Sequence, residues 1–277
     1  MERGRGLHQL RENRLAMVGL FFIGCLVVLA MIGSWISPYN PLLPDPMNRL
    51  KGPSTAHLFG TDSLGRDILS RVIYGSRISI LIGLIAVSIS LVPGTLFGLL
   101  SGFYGKKVDE PIMRFMDIML AFPAILLAIF ITAILGPSLL NTMIAVGVVY
   151  IPHYARIVRS SVLSLKEQEF VQAVRSIGGS NLRIIALHIF PNTIPPIIVY
   201  ATLGMGTAVL QAAALGFLGL GAQPPMPEWG AMLSEGRQYI QLAPHVAAFP
   251  GLAIFTLVLG FNLFGDGLRD VLDPSLR

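Results

Sequence analysis

The sequence predicts an all-α membrane protein with six transmembrane helices, and three observations carry that expectation. Of its 277 residues, 53% are hydrophobic and only 13% charged, and the mean hydropathy of +0.70 lies well outside the range of ordinary water-soluble domains. The apolar residues gather in runs of about 20, the length a helix needs to cross a bilayer. Hydrocarbon offers the backbone no hydrogen-bond partners, so such runs are read as helices.

The runs fall at 15–36, 78–103, 115–135, 139–158, 192–216 and 247–265. The first follows Arg3, Arg5, Arg11 and Arg14, as a secretory leader would, but it is long enough to span and ends in no small-x-small site, so its retention is expected. The chain then divides into a tail, first span and outer segment at 1–75, a five-span core at 76–266 with a large loop at 159–191, and a tail at 267–277. Cys25, the one cysteine, lies in an apolar run, so no intrachain disulfide can form.

With the N-terminus inside, the inner segments hold Arg3, Arg5, Arg11, Arg14, Lys106, Lys107, Arg114, Arg156, Arg159, Lys166, Arg175, Arg183, Arg269 and Arg277. The outer ones hold Arg49, Lys51, Arg66, Arg71, Arg77 and Arg237. That bias puts both termini in the cytoplasm. The net charge of +5 forms no basic stripe interleaved with aromatics, so nucleic acid is not an expected partner.

Pro93, Pro123, Pro152, Pro195, Pro196 and Pro250 fall within spans. Each removes an i→i−4 bond and can kink a helix that lines a path, although proline is also commoner in membrane helices generally. Gly94, Gly98 and Gly102 put three missing side chains on one face of the second span. A helix of this chain or of a second subunit can approach there. Arg114 and Asp117 are spaced to pair with each other near the start of the third span, and Gln211 and Asn262 are weaker polar candidates. None is assigned a substrate contact.

In the outer segment, Asp62 and Asp67 lack the spacing of a calcium loop. Capping by Thr61 or Asp62, with Asp67 in the following turns, makes about 62–74 an outer helix. A second outer element, 223–230, carries Trp229, which suits the membrane interface. Both are candidate docking surfaces for an outside partner.

The loop 159–191 has a readable local structure. Ser164 and Glu167 fit a capping box, and Phe170, Ala173, Val174 and Ile177 then recur at i, i+3, i+4 and i+7, with Glu167, Glu169, Gln172 and Arg175 keeping the rest polar. Gly178-Gly179 ends the helix. Such a helix can lie on the membrane, pack under its own bundle, or insert in a groove of a soluble partner.

At this loop the chain resembles the permease subunits of binding-protein-dependent ABC importers. Gln172-Ala173-Val174, Gly178 and His188-Ile189-Phe190-Pro191 align with the family pattern Glu-Ala-Ala, Gly, Ile-x-Leu-Pro, with Gln for Glu, Val for Ala, His for Ile and Phe for Leu. The spacing is kept. From about residue 35 onward the chain also looks like the dipeptide, oligopeptide and nickel branch, through His57 to Asp67, Asp117 to Pro123, Phe217 to Gly221, Pro227 to Gly230 and Phe261 to Asp270. It is most similar to the "C"-type permeases of dipeptide systems.

The resemblance implies a type I ABC importer permease fold, six spans with a cytoplasmic coupling helix, in the bacterial cytoplasmic (inner) membrane. It implies a path for dipeptides or short oligopeptides, and coupling to an ATPase through Glu169, Phe170, Gln172, Ala173, Val174, Arg175, Gly178 and Pro191. The implied partners are a homologous second permease, two ATP-binding subunits, an extracytoplasmic solute-binding protein and the lipid bilayer. ATP and Mg would be bound on the ATPase subunits, with no cofactor or metal on this chain, which is not expected to be an enzyme.

The residues agree with that last expectation. The nearest approach to a phosphate loop, Gly98 to Lys107, has Lys107 where Ser or Thr is needed. The stretch 178–182 lacks the last glycine of a nucleophile elbow. Nickel or another small solute is the alternative cargo, but His8, His57, His153, His188 and His245 show no pair at ligand spacing. A stand-alone secondary transporter would be expected to carry internal repeats, broken helices or midplane charges, none of which the sequence displays clearly.

Overall fold

The structure is a computed structural model that describes residues 12–272; Arg3, Arg5, His8, Arg11 and Arg277 lie outside them. Its helices are α1 (Arg14–Ile36), α2 (Ile68–Tyr104), α3 (Lys106–Ala121), α4 (Ala124–Leu135), α5 (Leu139–Leu165), α6 (Glu169–Ser176), α7 (Asn181–Ile184), α8 (Phe190–Phe217), α9 (Trp229–Gly236) and α10 (His245–Leu272). A π-helical turn, Ile185–Ile189, joins α7 to α8. Among the described residues there is no strand, only an isolated bridge between Thr61 and Asp67.

By length and composition, α1, α2, the run Asn181–Phe217 and α10 can cross a membrane, with a fifth span if α3 and α4 count as one bent pair. α5 has the length for a sixth, about 40 Å at 1.5 Å per residue. It is less apolar because Arg156 and Arg159 lie toward its C-terminal end, where they pair with Asp117 and Asp109.

The expected third span, 115–135, is not one helix. α3 and α4 meet at 93°, because Pro123 cannot donate to the ladder and forces Phe122 into extended backbone (φ −89°, ψ 137°). α4 alone, 12 residues long, reaches about 18 Å, short of the roughly 30 Å hydrocarbon core. The helices continue through Pro93, Pro152, Pro195, Pro196 and Pro250.

The outer helix expected at 62–74 is likewise not separate. α2 runs unbroken for 37 residues from Ile68, and its cap is Asp67 rather than Thr61 or Asp62. Asp67 Oδ2 accepts from the Ser70 amide at 2.8 Å and the Ser70 hydroxyl at 2.7 Å. Asp62 instead joins a buried ion cluster. Arg66 reaches Asp62 at 2.6 Å and Glu235 of α9 at 2.7 Å, and Arg71 stands 3.5 Å from each carboxylate. His57 lies 2.9 Å from Asp67. Trp229 belongs to this end of the bundle too, but as core, not as an interface residue. It is fully buried, donates its indole N–H to Val72 O at 3.1 Å, and leaves no room for a side chain at Gly75.

The tightest helix pair is α2 with α5. A β-carbon on Gly94, Gly98 or Gly102 would fall 2.5 Å from Tyr154 Cβ, 2.6 Å from Val158 Cβ or 2.7 Å from Val162 Cβ. The glycine face is therefore filled from within the chain. α1 packs against α10 in the same manner, with Gly19 against Gly260 and Gly267 against Ala16.

Candidate functional site

At the opposite end from α9, the loop helix α6 is held beneath the ends of α2, α5 and the α7–α8 connection. It does not begin at the expected capping box. α5 continues through Ser164 to Leu165, and α6 starts at Glu169 with Gln168 as its N-cap. It stops at Gly178, whose φ of +82° is the left-handed conformation glycine adopts without strain. The Gly178 amide donates to Arg175 O at 3.1 Å and that of Gly179 to Val174 O at 3.0 Å, the paired bonds of a Schellman ending.

The apolar residues of α6 do not form the single face expected of them. Val171, which the i, i+3, i+4, i+7 reading passed over, is fully buried, and it packs with Val158, Val162, Ile184 and Ile189. Val174 is partly buried against the same cluster. Phe170, Ala173 and Ile177 stay exposed, as do Glu169, Gln172, Arg175 and Gly178. Seven of the eight residues assigned to coupling therefore share one short segment, with Val174 turned toward the bundle. Pro191, the eighth, is exposed in the first turn of α8, beyond the π-helical turn, and is not on the helix.

The root of the loop is braced by charge. Arg159 Nε and Nη2 each reach an Asp109 carboxylate oxygen at 2.5 Å, tying α5 to the first turn of α3. Such two-point guanidinium–carboxylate contacts fix geometry as well as adding energy. Lys166 Nζ donates to Gly102 O at 3.2 Å. Asp117 pairs with Arg156 at 2.6 Å, and Arg114 with Glu110 at 2.8 Å, so the expected Arg114–Asp117 pair is not formed. The sequence carried a signal for Arg114–Glu110, which are i, i+4, but none for the pairs between helices.

Two cavities lie above the loop. One, of about 620 Å³, is bordered by the ends of α5, α8 and α10, including Ser160, Ser161, Ser164, Asn192 and Arg269. The other, of about 120 Å³, sits midway along α2, α5 and α8. Among the described residues, no three or more His, Cys, Asp or Glu side chains gather to hold a metal.

A sequence model of the family described as "Binding-protein-dependent transport system inner membrane component" matches residues 94–277. The chain belongs to this family. A second model, the N-terminal TM domain of oligopeptide transport permease C, matches residues 4–53. The chain is 55% identical to the dipeptide transport system permease protein DppC of Alkalihalophilus pseudofirmus, over 97% of this chain and 88% of that protein. It is 49% identical to the di/tripeptide permease DppC of Pseudomonas aeruginosa, over 96% and 90%. It is 50% identical to the glutathione permease GsiD of Escherichia coli, over 96% and 88%. Inward-facing structures of the MetNI methionine ABC transporter superpose with a TM-score of 0.59 at 21% identity, covering 74% of this chain and 97% of theirs. The fold is thus that of an ABC importer permease, and the chain is a multi-pass membrane transport component.

Proposed function

We propose that this permease forms the translocation path for dipeptides or short oligopeptides in an ATP-driven importer, and that α6 is its coupling helix. The observation that carries the proposal is the division of α6 into two environments. Val171 and Val174 anchor it to the bundle, while Phe170, Ala173 and Ile177 stand exposed beside Glu169 and Arg175. An exposed apolar strip with a charged rim suits a groove in a protein partner.

The cargo class draws support from relatives named for dipeptides, di/tripeptides and glutathione at about 50% identity. The partners would be a second, homologous permease, two ATP-binding subunits carrying ATP and Mg, and a solute-binding protein outside. This chain would bind no cofactor and keep both termini, with α6, in the cytoplasm. Movement of α6 by the ATPase would reach α5 through Val171, packed with Val158 and Val162, and α8 through the α7 connection, so that the path opens alternately to each side.

The test is ATP-dependent uptake of a labelled dipeptide into proteoliposomes holding this chain and the subunits encoded beside it. Ala173→Asp and Gly178→Asp are expected to abolish uptake in complexes that still assemble as membrane protein. Unaltered uptake in both variants would overturn the coupling assignment, and absence of uptake by the unmodified complex would overturn the cargo.

A further inference from the structure

α3 runs in a different direction from the spans on either side of it. It is not among the helices long and apolar enough to cross a membrane by themselves, and α4 leaves it at 93°. Two ion pairs fix its course. Asp109 pairs with Arg159 and Asp117 with Arg156, so carboxylates about 12 Å apart along α3 are held by arginines only about 4.5 Å apart along α5. α3 therefore lies across α5 rather than beside it.

Its depth follows from the neighbouring helices. Gly33, near the outer end of the apolar α1, packs on Ile73 of α2. Gly94 and Gly98 lie about 32 and 38 Å further along α2 at 1.5 Å per residue, and they pack on Tyr154 and Val158 of α5. A β-carbon on Gly98 would also come 3.0 Å from the Arg159 nitrogen. The two arginines that hold α3 thus stand about one hydrocarbon thickness, roughly 30 Å, from the level of Gly33. That is the membrane surface on the loop side.

The side chains of α3 divide to match. Val108, Ile112, Met116 and Met119 are buried or half-buried. Two exposed stripes remain, one residue out of phase with each other. Glu110, Arg114 and Asp117 form a charged one, and Pro111, Phe115, Ile118 and Phe122 an apolar one whose last three members are more than half exposed. The apolar stripe continues into exposed Leu126, Phe130 and Ile134 of α4. The carboxylates of α3 are all matched by arginines, Glu110 by Arg114. Lys106 and Lys107 in the first turn are exposed and form no ion pair among the described residues. Lys166, bound to Gly102 O at 3.2 Å, adds a third positive charge at this corner. An apolar stripe beside a charged one, with surplus lysines, suits a helix lying in the plane of a negatively charged bilayer surface.

We infer that α3 is an interfacial helix that binds anionic phospholipid. Phe115, Ile118 and Phe122 enter the acyl region of the leaflet on the loop side, and Lys106 and Lys107 hold the phosphate headgroups. That this leaflet is the cytoplasmic one rests on the permease reading above. A second protein subunit over the same stripe is the competing occupant, and the uncompensated lysines and the continuity with the outward face of α4 favour lipid.

The test is fluorescence quenching in the assembled transporter, reconstituted in vesicles of phosphatidylcholine with or without phosphatidylglycerol. A fluorophore is attached at Ile118→Cys, with Cys25→Ser in the same chain and the other subunits free of reactive thiols. Phospholipids brominated on their acyl chains are expected to quench it and aqueous iodide is not, whereas the same fluorophore at Glu110→Cys responds to iodide. Brominated phosphatidylglycerol is expected to occupy the site at least tenfold more strongly than brominated phosphatidylcholine, since each lysine near an anionic surface contributes about fivefold. Lys106→Gln combined with Lys107→Gln is expected to reduce that preference to less than about twofold. A label at 118 that no brominated lipid quenches would show that protein covers the stripe. Equal occupancy by the two lipids, or a preference that survives loss of both lysines, would show that they hold no headgroup. Each of these results overturns the inference and leaves dipeptide uptake to be judged separately.

Discussion

Val171 and Ile177 lie six residues apart in one short stretch of chain, yet Val171 is fully buried and Ile177 is 85% exposed. Removing two methyl groups from a packed site costs about 2 kcal/mol, through lost burial and the cavity left behind. Val171→Ala is expected to destabilise the detergent-solubilised chain by that amount. Ile177→Ser is expected to change stability by less than about 0.5 kcal/mol, as surface substitutions do. Thermal denaturation of both variants checks the contrast, and equal losses would contradict the two-environment account of α6.

Gly98 and Gly24 offer a second contrast. A methyl group on Gly98 meets Val158 Cβ at 2.6 Å and the Ala155 carbonyl at 2.7 Å, whereas one on Gly24 meets nothing within 4 Å. Gly98→Ala is expected to cost about 1–3 kcal/mol through overpacking. Gly24→Ala is expected to be neutral or to stabilise by up to about 1 kcal/mol through helix propensity. Unfolding midpoints of the two single variants decide it.

The Arg159–Asp109 contact is specific to a guanidinium, because both oxygens are engaged by the fork. Arg159→Lys keeps the charge and loses the second bond. It is expected to weaken the α3–α5 brace by about 1 kcal/mol, and a double-mutant cycle with Asp109→Asn reads the coupling. A coupling energy near zero would show that the brace contributes nothing to the position of the loop root.

Glu228 caps α9, accepting from the Gly230 and Ala231 amides at 2.8 Å each. Burial pushes its carboxyl above the ordinary value of 4.5, and the two amide bonds only partly oppose that. A raised folded-state value means that the folded protein prefers the protonated form. The contribution is greatest below about pH 4.5 and is lost as pH rises through the folded value. Unfolding measured at pH 4 and pH 7 is therefore expected to favour Glu228→Gln over the unmodified chain increasingly toward pH 7. The opposite trend would show that the cap is held as a carboxylate. Glu228→Ala removes the cap and is expected to cost about 1 kcal/mol at pH 4 and less at pH 7, where the unmodified side chain contributes less.

Sequence reasoning reached what depends on local composition. The apolar runs of α1, α2, α8 and α10 and the Gly178 stop all follow from rules that act within a few residues. The break at Pro123 was visible as a residue but not as an event, since five other prolines sit in helices that continue through them. Phe122 turning extended is what separates it from them. Val171 was missed because Val171 and Val174 form a second i, i+3 pair interleaved with Phe170, Ala173 and Ile177, and periodicity cannot say which pair faces the bundle. Asp117 choosing Arg156 over Arg114, and Asp62 joining Arg66, Arg71 and Glu235, depend on which helices meet. A pattern confined to one helix does not contain that.

The most direct test of α6 as the coupling helix is co-purification of the ATP-binding subunits with the affinity-tagged permease, comparing the unmodified chain with Ile177→Asp and Ala173→Asp in the same detergent. If the exposed strip enters the ATPase, both variants are expected to retain the other membrane subunit and lose most of the ATP-binding subunits. Full retention of the ATP-binding subunits by both variants would contradict it.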